Sequence, residues 1–579
     1  MEERLHADAV TLELLKNALA SIVDEMAFTI IRTGYSSVVK SAMDFSTGFC
    51  DPAGEMLAQG LTLPNQLGSM PDAMAAVLRK FSKDICPGDA FIMNDPYDGG
   101  MHLPDIFVFK PVFYGEELIG FAATVAHHTD VGGRVAGSCA SDSTEIFQEG
   151  LRIPPLKLYE RGRPNRTLMD LIEKNVRVPV KVLGDLRAQM SACHIGEREY
   201  LKIVESYGPA RLKAYLAQLL DYTERRTRAE IAALPDGEYE FTDYIDDDGI
   251  NPDPITIHVK VTVAGGDITA DFTGTSRQVQ GAINSTFPFT KSAVYLGIRS
   301  IIDRAIPNNG GFMRPIHVIA PEGSIVNPRF PGSCAARGLT GFRVTDAVFG
   351  AMAQAVPERI MAASEGGLTI VSLGGYEENN EPFVLVDLLG GAWGGRPDRD
   401  GIEGMPCLAA NISNVPCELV EVEHPLVIEQ YGFVPDTGGA GKYRGGLSLI
   451  RDYRLTAPCA TLQIRSDRRK ILPYGLAGGQ PGTPSNNILN PDTDNLVLPS
   501  KVTTTIQRGD VYRHILPGAG GHGDPLERDP QAVLEDVLDE KFTPAYVRRA
   551  YGIVLTADGK AIDEPATVAL RAAMRPANP

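Results

Sequence analysis

The sequence predicts a large α+β protein of several domains with mixed sheets, β-rich in its middle and C-terminal regions. Three observations predict this. Apolar residues recur at helical spacing over the first 35 positions, and period-two runs with tight turns follow from Ser41. The last third alternates β-like runs with glycine clusters at 438–446, 475–482 and 518–523. At 579 residues the chain exceeds one typical core, so about three or four domains are expected. Pattern changes divide it into 1–233, 234–419 and 420–579: a site-bearing segment, a middle α/β segment and a glycine-rich β segment.

Each element has its own signal. Leu12, Leu15, Leu19, Ile22, Val23, Met26 and Ile30 form one helical stripe, with Asp8 or Thr11 as its cap. D-F-S-T-G-F-C, then Asp51-Pro52-Ala53-Gly54, then E-M-L-A-Q reads as strand, turn, strand, which places Asp44 on a hairpin strand. A helix is expected at 70–81, a short strand at 90–93, and a strand at 118–127 that delivers His127 and His128 at its end. Residues 168–232 read as exposed helices closing the first segment. Alternation in 255–263 and 267–272 around Gly265-Gly266 predicts a hairpin. A helix at 291–305 and a terminal helical segment from Asp529 complete the set.

Bulk properties exclude several functions. A formal charge of −18 argues against nucleic-acid binding, which needs clustered Lys and Arg. No uncharged apolar stretch reaches the roughly 18 residues of a membrane span. The start, Met1 to Asp8, is acidic and lacks the apolar core of a signal peptide. The eight cysteines have no C-x-x-C spacing, which predicts buried free thiols and a cytoplasmic location. Gly438-Gly-Ala-Gly-Lys442 lacks the spacing, and the Ser or Thr after Lys, of a phosphate loop.

The chemistry concentrates in two segments. N-D-P-Y-D-G-G-M-H-L-P-D (94–105) and A-H-H-T-D (126–130) hold three of the ten histidines, together with Asp105 and Asp130. Imidazole mixed with carboxylate suits a divalent zinc, manganese or iron ion. Pro104 disfavours helix between His102 and Asp105, so both are expected on an irregular loop. Adjacent strand residues point to opposite faces, so only one of His127 and His128 can face an ion. Asp130 is a candidate to orient an imidazole. Glu145 and Glu149 are general-base candidates, against a structural alternative.

Taken in order, these segments resemble the hydantoinase B/5-oxoprolinase family, which includes the large subunits of acetone and acetophenone carboxylases. The resemblance rests on D-F-S-T-G-F-C-D-P-A-G, the two histidine segments, S-T-E-I-F-Q-E-G-L-R, G-D-L-R-A-Q, D-F-T-G-T-S, I-P-N-N-G-G, N-I-S-N-V-P-C-E and P-D-T-G-G-A-G-K-Y-R-G-G. It implies one divalent transition metal held by His102 and His127, with Asp44 and Asp105 on the carboxylate side. His128, Asp130 and Glu145, which flank or follow these loops, are the catalytic candidates read from the residues themselves. The resemblance also implies a hydantoinase A-type ATPase partner that binds ATP and Mg, in a hetero-oligomer such as a two-by-two tetramer. The implied reaction is ATP-dependent opening of a cyclic amide: a hydantoin, an oxoproline or a lactam. The alternatives are an ATP-dependent ketone carboxylase component and a non-catalytic scaffold for the ATPase.

Overall fold

The first helix, Ala9–Thr33, forms as its stripe predicts: Asp8 accepts a hydrogen bond from the Thr11 backbone N–H, and Leu15, Leu19, Ile22, Val23, Met26 and Ile30 are buried. The computed structural model describes residues 7–575, so most of the acidic Met1–Asp8 start lies outside the described residues. β1 (Phe45–Cys50) and β2 (Met56–Gln59) pair antiparallel across the predicted turn. Asp51 accepts the Ala53 and Glu55 N–H groups there, and Gly54 takes φ 90°, where a side chain would be strained.

Five more strands complete this sheet: β3 (Ala90–Met93), β4 (Asp105–Tyr114), β5 (Glu117–His127), β6 (Leu156–Glu160) and β7 (Arg163–Pro164). Their order is β2-β1-β5-β4-β3-β6-β7, and every pair is antiparallel. Period two sorts the side chains of β4 and β5. Ile106, Val108, Ala122 and Ala126 pack with the helices Ala9–Thr33 and Pro179–Tyr207. Phe107, Phe109, Ala123 and Val125 pack in another core, with the helix Met70–Phe81 and strands from the C-terminal half.

The helices of 168–232 are less exposed than expected. Pro179–Tyr207 buries Val182, Asp185, Leu186, Gln189, Ala192 and Cys193, because it covers β4 and β5 as well as Ala9–Thr33. In the middle region β8 (Gly237–Ile245), β9 (Ile255–Ala264), β10 (Asp267–Asp271) and β11 (Ile316–Ile319) form a four-stranded sheet around the predicted hairpin. The next helix occupies Phe287–Arg299 rather than 291–305. Arg299 ends it by donating to the carbonyls of Asp303, Arg304 and Ile306, which holds the following turn outside the helix. The helix Gly338–Met352 carries no amphipathic signal because all its residues are buried.

A third sheet orders β12 (Thr369–Tyr376), β13 (Pro382–Leu389), β16 (Cys459–Arg465) and β19 (Lys501–Gln507) as β13-β12-β16-β19, so it straddles residue 420. A fourth joins β14 (Leu426–Val434), β15 (Ser448–Leu455), β17 (Asn486–Leu489), β18 (Leu496–Val497) and β20 (Val511–Ile515). The glycine clusters meet backbone to backbone: a Cβ on Gly482 would stand 1.8 Å from the Gly518 oxygen, and one on Gly520 2.0 Å from the Tyr474 oxygen. They pack chain against chain. No helix among the described residues is long and apolar enough to cross a membrane, and all eight cysteines are free, with Cys459 exposed.

His514 on β20 links the last two sheets, its Nδ1 2.7 Å from Asn487 Oδ1 and its Nε2 3.2 Å from Thr369 Oγ1. Burial lowers its proton affinity to about 3, and that of His424 likewise. In the unfolded chain both titrate near 6.5, so below that pH only the unfolded state takes up these protons. Stability is therefore expected to fall as pH drops below about 6.5, by up to about 1.4 kcal/mol per pH unit for each histidine. Urea titrations of the wild type and His514→Gln between about pH 6.5 and 5 check this. The variant should be less stable at neutral pH but show a shallower slope, and equal slopes would refute the assignment.

Candidate metal centre

The register of three neighbouring strands builds the site. Asp105 at the start of β4 stands opposite His127 at the end of β5, and the His127 N–H donates to the carbonyl of Asp44, just before β1. Asp44, His127 and Asp105 thus form one row across adjacent strands, on the face that carries Phe107 and Val125. His102 arrives from the loop before β4. Asn94 pins that loop, donating from Nδ2 to the Leu103 carbonyl and accepting the Ile153 N–H at Oδ1.

His102, His127 and Cys139 bring one ligand atom each to within 4.8 Å of one another, and all three are buried. The imidazole rings are 4.9 Å apart, and Cys139 Sγ lies 3.9 Å from His127 Nε2. His102 Nδ1 is 2.7 Å from Asp105 Oδ2, which also receives the Arg337 guanidinium. Neither His102 nitrogen makes an aligned hydrogen bond, the approach of Nδ1 to Asp105 included, and His127 Nδ1 and Asp105 Oδ1 have no hydrogen-bond partner. Neither Asp44 nor Asp105 falls in the close ligand-atom cluster. Gln66 Nε2 donates to Asp44 Oδ1 at 2.7 Å.

Electrostatics follow from burial. Loss of water, reinforced by the Arg337 charge, depresses His102 to about 4, and burial carries His127 well below the usual imidazole range. Both rings are therefore neutral near pH 7, the form that offers a lone pair to a metal. Burial and the neighbouring Asp105 charge push Asp44 up to about 7. Asp105 goes the other way: burial opposes its charge, but His102 and Arg337 hold the carboxyl well below the usual carboxylate range.

The remaining predicted residues lie elsewhere. His128 turns to the opposite face, where its Nε2 is 3.0 Å from Gln189 Oε1 on the Pro179–Tyr207 helix. Asp130 accepts the N–H groups of Gly132, Gly137 and Arg177 and the Arg177 guanidinium, bracing the loop that delivers Cys139. Glu145 is exposed. Glu149 is buried, accepting from Ser333 Oγ and the Cys334 N–H, and burial raises it to about 7. Cys139 and Arg337 were missed. Neither carries a spacing signal, since Cys139 follows an irregular loop and Arg337 lies more than 200 residues from its partner.

The donor set fits a borderline transition ion: two neutral imidazoles with unsatisfied nitrogens, a thiol and nearby carboxylates. The carboxylate behind His102 fixes the ring as outer partners of metal-bound histidines do.

Comparisons with known proteins agree with this architecture. The chain is 36% identical over 584 residues to the putative B component of a D-/L-hydantoinase from Pseudomonas sp. (strain NS671), covering 97% of this chain and 98% of the relative. It is 32% identical to the β subunit of caprolactamase from Pseudomonas jessenii, covering 98% and 99%. The crystal structure of the ATP-dependent caprolactamase from that organism superposes with a TM-score of 0.92 at 31% identity, covering 98% of this chain and all of that one. A nucleotide-free acetone carboxylase shares the fold at TM-score 0.89 and 20% identity, covering 98% and 83%. The sequence profile of the hydantoinase B/oxoprolinase family matches residues 8–525. The chain belongs to the hydantoinase B/oxoprolinase family.

Proposed function

We propose that this chain is the metal-bearing component of an ATP-dependent cyclic amide hydrolase and acts with a separate ATPase chain. The observation that carries the reading is the buried His102–His127–Cys139 cluster, in a chain similar over nearly its whole length to a caprolactamase β subunit. An unstrained amide resists water because attack must break its resonance and expel a poor leaving group. Consuming ATP on the partner, which activates the amide oxygen, removes that obstacle. The substrate class is a hydantoin, an oxoproline or a lactam.

His102, His127 and Cys139 would hold one zinc, manganese or iron ion, and Asp44 is the carboxylate we assign to the same ion. Bound there, the ion supplies Lewis acidity and makes a water reactive near neutral pH. Asp105, 2.7 Å from His102 Nδ1, favours Nε2 as the atom offered to the ion, and Arg337 keeps Asp105 ionised. Gln66 orients Asp44 through its Oδ1. His128 and Asp130 are positioning residues, one locking the end of β5 to Gln189 and the other shaping the Cys139 loop. Burial of the whole group keeps bulk water from the cluster, which strengthens the electrostatic interactions within it.

Elemental analysis of the purified complex should find about one transition metal per chain. His102→Ala should lose both the metal and amide turnover; no stoichiometric metal in the wild type, with turnover intact in the variant, would leave a scaffold role. Asp105→Asn should weaken metal affinity by about 10- to 100-fold while the fold survives. Incubation of the two-component complex with ATP and hydantoin, 5-oxoproline or caprolactam should release the ring-opened product. Turnover only with ATP, bicarbonate and a ketone would assign the chain to carboxylation instead.

A further inference from the structure

Among the described residues, the buried arginines are paired, with one exception. Arg337, Arg343, Arg444, Arg451, Arg468 and Arg528 each meet a carboxylate oxygen at 2.5–3.1 Å. Arg465, 3% exposed at the end of β16, meets none among the described residues. Its one hydrogen bond runs from Nη2 to the neutral Leu368 carbonyl at 3.3 Å, and Nε and Nη1 have no partner. A buried guanidinium that no carboxylate touches is costly to leave uncompensated, so an anion that completes it is the simplest explanation.

The surroundings say where that anion sits. A Cβ on Gly338 would stand 3.3 Å from Arg465 Nη2 and 3.5 Å from Nη1, so the guanidinium lies against the first residue of the helix Gly338–Met352. That helix has Arg337 at its N-cap, with no side chain capping its N–H groups. The Leu339 N–H already donates to the Ala336 carbonyl at 3.2 Å, so this helix end offers an anion chiefly its dipole. Arg337 directs Nη2 to Asp105 and stacks its guanidinium 4.3 Å from the Phe289 ring, while its Nε is unpartnered. The residues of β16 just before Arg465 touch the loop that carries Cys139: Gln463 Nε2 donates to the Ala136 carbonyl at 2.7 Å, and Ser141 Oγ donates to the Ile464 carbonyl at 3.4 Å.

We propose that Arg465, together with Arg337 and the N-terminus of the Gly338 helix, binds a phosphoryl oxyanion next to the His102–His127–Cys139 cluster. This deepens the proposed function and rests on it, since an amide activated by ATP carries such a group to this chain. The unpartnered Nε and Nη1 of Arg465 and Nε of Arg337, beside a helix N-terminus, match the several oxygens of a tetrahedral phosphoryl group. A carboxylate would need only one guanidinium fork. The group is either borne by the substrate or is free phosphate after release, and both present the same oxygens.

Calorimetric titration of the purified full-length chain with inorganic phosphate and, separately, methyl phosphate tests this. Saturable binding is expected, weakened about tenfold or more by Arg465→Gln and partly restored in Arg465→Lys, which keeps the charge but not the fork. Binding of methyl phosphate identifies a substrate-borne group, and binding of inorganic phosphate alone identifies the free product. Gly338→Ala crowds the guanidinium without straining the helix, so it should lower phosphate affinity with the thermal midpoint preserved. That variant keeps the test decisive if Arg465→Gln does not fold. Absence of saturable binding by the wild type, equal affinity in the wild type and these variants, or equal displacement of phosphate by acetate would overturn the proposal. Metal content and amide turnover, measured in parallel, report on the proposed function separately: Arg465-dependent phosphate binding without amide turnover sinks that reading and keeps this one.

Discussion

The arrangement depends on burying ionisable groups where two β-sheets share a core. The row Asp44–His127–Asp105 points away from the helical layer, into the core shared with the third sheet. These side chains are shielded from bulk solvent, so each has its proton affinity set by burial and by its neighbours. Asp105 stays ionised because His102 and Arg337 touch it, whereas burial and the neighbouring Asp105 charge push Asp44 up to about 7, its Gln66 hydrogen bond offsetting only part of that. Two carboxylates on one strand row thus acquire different characters from their contacts alone.

The same constraint explains the polar lattice around the site. Arg343 and Arg468 bind Asp467, Asp243 and Asp346, tying the middle sheet and the Gly338 helix to the loop after β16. These pairs do not guarantee stability, because desolvation offsets much of their attraction. They do fix how the elements meet, since a shifted helix would leave buried charge unmatched. That rigidity carries to the site through Arg337, which begins the helix, and through Arg465, which ends β16.

Much of the local structure was legible because half-buried elements print their period into the sequence. The stripe from Leu15 to Ile30, the turn at Asp51–Gly54 and the hairpin around Gly265-Gly266 all formed as read. The Gly338–Met352 helix was not legible, since a segment buried on every side has no polar face to mark its period. The alternation rule foresaw that His127 and His128 would part. It could not foresee that Cys139 would join His127, because the loop between them is shaped by Asp130 and Arg177.

By itself the sequence determined the chemistry available: two histidine segments, their flanking carboxylates, a family resemblance and the strand positions that carry them. Only the tertiary structure decided which groups meet. Asp44, His127 and Asp105 share a row through strand pairing, while Arg337 and Arg465 come from far along the chain to the same core. Spacing in sequence constrains neighbours within one strand or helix turn. Contacts between sheets depend on register and packing, which no local pattern records.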